Sequence, residues 1–106
     1  MSSSEEVARK LDELWQRFLP AILLRVATIQ TAIESLAAGH LDGELKANAA
    51  QEAHRLAGSL GTFGLARSSG MSSKIESLLS KPDSIQSMAA ELTKLLDSIK
   101  REIESR

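Results

Sequence analysis

No cysteine occurs among the 106 residues, which excludes a disulfide framework and any thiolate metal site. Tyrosine is absent too. Trp15, Phe18 and Phe63 are the only aromatic residues, too few and too scattered to stack nucleic-acid bases. Charge of one sign is also missing: thirteen Lys and Arg stand against fourteen Asp and Glu, a net charge of -1. The clustered basic surface of a nucleic-acid protein is therefore not expected. No apolar run approaches the roughly 18 residues that span a bilayer, so no membrane association is expected. Residues Met1 to Glu6 lack the basic-then-apolar order of a secretory leader, which points to a cytoplasmic location. What is present is ordinary globular material, 42% hydrophobic and 25% charged, in a length that suits one domain over 1–106.

Helical spacing runs through the whole chain, and no segment alternates apolar and polar residues over a strand length. Val7, Leu11, Leu14 and Phe18 predict a helix over about 4–19, with Ser3 and Glu6 as a capping box. Pro20 is expected to break or kink it. Ile22, Val26, Ile29, Ile33 and Leu36 form the stripe of a second helix, about 21–38, with Gly39 as its C-terminal cap and His40 at its end. Asp42 suits the N-cap of a third, about 43–61, whose core side is Leu45, Ala49, Ala53, Leu56 and Leu60. After Thr62-Phe63-Gly64, a fourth over about 65–79 uses Met71, Ile75 and Leu78. A turn at 80–83 leads to a fifth over about 83–104, with Ile85, Ala89, Leu92, Leu96, Ile99 and Ile103. Short connections make neighbouring helices antiparallel. The predicted fold is all-α: an antiparallel up-down-up-down four-helix bundle with an additional short N-terminal helix packed over one end.

One histidine stands apart. On a 3.6-residue helix, Ala47, Ala50, Ala57, Gly58 and Gly61 are neighbours of His54 along its face, and all are alanine or glycine. Helical side chains lean toward the N-terminus, so a residue at 58 would cover the surface over the ring, and glycine leaves it open. Interior glycine costs a helix about 1 kcal/mol relative to alanine, so two beside one histidine suggest that access to the ring matters. His54 lies about 100 degrees off Ala53 and flanks the core. A general base needs a nucleophile and an orienting acid beside it, and this strip has no room for them. A neutral imidazole is, however, a sufficient nucleophile toward an already activated phosphoryl group. The alternative is an ordinary solvated histidine.

The run His54-x-Leu56-x-Gly58-Ser59, followed by Gly64, resembles the motif of histidine-containing phosphotransfer (HPt) domains. The resemblance extends over nearly the whole chain as a helix pattern. It implies a helical phosphocarrier without its own ATP site, whose histidine takes a phosphoryl group from one receiver-domain aspartate, or from a histidine kinase, and passes it on. It also implies no cofactor on this chain, Mg2+ on the partner receiver, and a monomer.

The expected contact surface is Ala47, Ala50, Gly58 and Gly61, completed by apolar residues of the second helix. Reflecting position 54 through a turn near 63 brings the fourth helix opposite, where Ser72, Ser73 and Glu76 share a face. Related domains often use Gln or Glu there to orient the ring through Nδ1, which makes Glu76 the first candidate and Ser73 the second. Ala57 departs from the family, which usually has lysine at that position. Arg55 projects about 100 degrees from His54, and Arg67 or Lys74 of the fourth helix are the other cations that could compensate. Ser59 is expected to contact phosphate or to bond back to the helix backbone, and Gly64 to permit a tight turn. The two histidines lack metal-ligand spacing, so no metal site is predicted. A helical module that docks on a receiver without being phosphorylated is the alternative function, and a purely structural or oligomerising bundle is a third. Whether the chain is a segment of a larger histidine kinase is left open.

Overall fold

The computed structural model describes residues 3–83 and 86–106. Among these there are four helices and no strand: α1 (Ser3–Ala37), α2 (Gly43–Thr62), α3 (Ala66–Leu79) and α4 (Met88–Ser105). Pro20 does not divide the first two predicted helices, which are one helix of 35 residues. The expected separate N-terminal helix is thus a correction. Proline removes one backbone hydrogen bond and crowds the preceding turn, but Pro20 lies on the exposed side, as does Gln16, whose carbonyl it frees. On the opposite side Trp15 and Ile22, two turns apart, are both buried. The continuous apolar face overrides the local penalty.

At 1.5 Å per residue α1 is roughly 52 Å long, close to the 55 Å longest dimension of the molecule. The shorter helices cover its C-terminal two-thirds. Nothing from Ser3 to Leu14 is buried, and the stripe expected to cap the bundle stays open: Val7, Leu14 and Phe18 are exposed. Ser3, expected to cap the helix, is its first turn instead.

Of the predicted core residues, Ile22, Val26, Ile29, Ile33 and Leu36 of α1, Ala49, Ala53, Leu56 and Leu60 of α2, Ile75 and Leu78 of α3, and Ala89, Leu92, Leu96, Ile99 and Ile103 of α4 are buried, whereas Leu45 and Met71 are only half-buried at the edge of the core. Ile85 lies outside the described residues. By length and composition alone α1 could cross a membrane, which corrects the reading that no segment is apolar enough. Its apolar face from Trp15 to Leu36, however, is packed in the bundle core.

Two glycines end helices in the same way. Gly39 (φ +79) and Gly64 (φ +81) take the left-handed conformation. Each is the centre of paired bonds, His40 N to Ser35 O and Gly39 N to Leu36 O, then Leu65 N to Leu60 O and Gly64 N to Gly61 O. Asp42 caps α2 by accepting from Leu45 N at 2.8 Å. Helix α4 begins at Met88 rather than near 83. Pro82 and Asp83, and again Gln86 and Ser87, lie in turns, and Gln86 reaches back to donate to the carbonyl of Ala37 at 2.7 Å.

Contacts close a ring, α1 with α2 and α4, and α3 with α2 and α4. Phe63, read from the sequence only as part of a connection, ties the α2–α3 turn to α1. Its ring meets Trp15 edge-on at 5.2 Å and Phe18 at 6.1 Å, and the Arg106 guanidinium lies 4.7 Å from the Trp15 ring.

Candidate functional site

His54 projects from the middle of α2 with 73% of its side chain exposed, and Nδ1 lies 3.1 Å from Oε1 of Glu76 on α3. Gly64 makes this possible, because its tight turn sends α3 back along α2. Ser69 on α3 then donates to the carbonyl of Ala57 at 2.7 Å, one turn nearer the connection. A carboxylate oxygen only accepts, so the pairing assigns the ring hydrogen to Nδ1 and leaves the lone pair of Nε2 free. Ser73 is exposed, and it is Glu76 that meets the ring.

Gly58 is exposed one turn beyond the ring, Ala47 and Gly61 are exposed two turns away on either side, and Ala50 is half-buried. A Cβ added at Gly58 would meet nothing within 4 Å, whereas one at Gly61 would come to 3.3 Å from Ser69 Oγ. The two glycines therefore differ. Packing is tight at Gly61, since Ser69 Oγ, held by Ala57 O, would have to give by a few tenths of an ångström. Packing does not require Gly58. Gly58→Ala is expected to stabilise the fold by about 1 kcal/mol and Gly61→Ala to fall clearly short of that gain, both read as midpoint shifts in urea unfolding.

Ala57 is 8% exposed and faces inward, so it leaves the open face around His54 on which helical spacing placed it as a binding candidate. Arg67 and Lys74 do not replace the usual lysine either. Arg67 Nε pairs with Glu102 at 3.7 Å and Lys74 Nζ with Glu91 at 3.1 Å, both on α4. Ser59 Oγ donates to the carbonyl of Arg55 at 3.0 Å, the backbone bond that the sequence offered. Arg55 is about half exposed and pairs with Glu52 Oε1 at 3.0 Å, while Arg25 of α1 holds Glu52 Oε2 at 3.2 Å. Two exposed residues were passed over in the sequence. Gln51 lies three positions before His54, a spacing that puts it on the same face. Leu24 is 70% exposed on α1, next to the Arg25 that meets Glu52.

With that geometry in place, comparison with protein families decides the matter: the family model for the Hpt domain matches residues 13–103. The chain belongs to the Hpt domain family. Searches of curated proteins and of solved structures found no match. The matched segment begins just before Trp15, the first buried residue of α1. The projecting first turns of α1 thus lie outside the part of this Hpt domain that the family shares. A role in histidine phosphotransfer within two-component signalling follows from the family, as does the class of phosphocarrier without an ATP site of its own.

Proposed function

We propose that this Hpt domain is a phosphorelay intermediate that carries its phosphoryl group on Nε2 of His54. The observation that carries the reading is the exposed ring oriented by Glu76. In the forward step Nε2 attacks the phosphorus of a receiver's aspartyl phosphate. The Nε2–P bond forms, the P–O bond to the aspartate breaks, and the carboxylate leaves with the bonding pair. The imidazole proton stays on Nδ1, where the Glu76 carboxylate stabilises the positive charge that the ring acquires. Transfer to the next receiver is the reverse. Mg2+ belongs to the partner, and positioning does most of what this side contributes.

The receiver docks over Ala47, Gln51 and Gly58, with Leu24 of α1 as the apolar contribution, and Ser73 lies at the α3 edge of that face. An up-down-up-down course of the four helices is supported by pairings that run oppositely along the chain: 54 with 76 and 57 with 69, then 68 with 102 and 74 with 91. A monomer working in the cytoplasm fits the packing of α1's apolar face against α2 and α4.

Incubation with a phosphorylated receiver domain tests the reading. An acid-labile label appearing on the chain and returning to fresh receiver is expected. Tight receiver binding with no label would favour the docking module instead.

A further inference from the structure

A phosphoryl group on an exposed nitrogen is a dianion, and a nearby cation stabilises both it and the transfer that forms it. Ala57 has turned inward, while Arg67 and Lys74 reach from α3 toward carboxylates of α4 rather than toward α2. One cation on the His54 helix stands differently. Glu52 divides its two oxygens between Arg25 and Arg55, so a single negative charge serves two positive ones. Arg25 has 26% of its side chain exposed, and Glu52 has 16%. That inner pair stays neutral if Arg55 departs. Arg55, at 52% exposure, gives up a surface ion pair of little worth.

The route is open as well. Gly58 projects between His54 and Arg55 around the helix, about 40 degrees from the former and 60 from the latter, and the space where its side chain would stand is empty. We infer that Arg55 supplies the positive charge for the phosphoryl group on His54. It swings from Glu52 across Gly58 when the dianion arrives, and Glu52 with Arg25 holds it in reserve until then. The inference rests on His54 being the acceptor.

Phosphoramidate tests it without a partner. The Nε2–P bond forms as the donor's P–N bond breaks and ammonia leaves. Phosphorus NMR then follows the second ionisation of the phosphoryl group with pH. The charged groups facing it are Glu76 from α3 and Arg55 with Glu52 on α2, backed by Arg25 from α1. A nearby cation favours the dianion and lowers the midpoint. Arg55→Ala is therefore expected to raise it by roughly half a unit, and Arg55→Lys to restore most of the shift. Glu52→Gln, which releases Arg55, is expected to lower the midpoint further. A structural role for the triad would instead make Arg55→Ala and Glu52→Gln move it the same way, and that result overturns the inference. So does an unchanged midpoint in Arg55→Ala. If wild type takes no phosphoryl group at His54, the carrier reading itself fails.

Discussion

His54→Gln is expected to accept no phosphoryl group, from a receiver or from phosphoramidate, while keeping the wild-type fold. Glutamine retains polarity but has no ring nitrogen to attack phosphorus. The ring is 73% exposed, and surface substitutions away from buried features usually shift stability by no more than about 0.5 kcal/mol. Loss of label therefore reports lost chemistry rather than lost structure. Mass spectrometry under alkaline conditions, with a circular dichroism control, reads both. Equal labelling of wild type and variant would remove His54 from the mechanism.

Gly58→Leu is expected to separate docking from chemistry. The open space at Gly58 admits a side chain without disturbing the core, so the variant folds. That side chain leans toward the helix N-terminus and stands over the ring. A receiver must bring its phosphorus within bonding reach of Nε2, and a misplacement near 1 Å costs roughly a hundredfold in rate. Receiver-dependent transfer should fall by about that factor. Phosphoramidate, which approaches without a protein surface, should still label the variant. Transfer from a receiver at the wild-type rate would show that the docking face lies elsewhere.

Core stripes such as Ile22-Val26-Ile29-Ile33 and Leu92-Leu96-Ile99-Ile103 were legible in the sequence because burial of one helix face imposes a 3.6-residue period. The short turn at Gly64 brought the face of Ser72, Ser73 and Glu76 opposite His54, and the resemblance to HPt domains, which often use Gln or Glu there, singled out Glu76. Pro20 was misleading. Its local penalty is real, but the burial of Trp15 and Ile22 on either side is a tertiary gain that no local rule sees. Ala57 was misplaced for a related reason. Its angle on α2 lies between core and surface, and only the approach of α3, with Ser69 bonded to its carbonyl, decides that it is covered. The directions of Arg67 and Lys74 depended on where α4 would offer Glu102 and Glu91. The period of a single helix holds no such information. Phe63 looked like a connection because its partners, Trp15 and Phe18, lie far away in sequence.

Which ring nitrogen faces outward decides where the phosphoryl group is carried. Phosphorylation of protein carrying isotope-labelled histidine, followed by nitrogen NMR of the adduct, reads this directly. Phosphorus bonded to Nε2 of His54, with Nδ1 still hydrogen-bonded to Glu76, is the expected result. Phosphorus on Nδ1, or none on His54 at all, would contradict it.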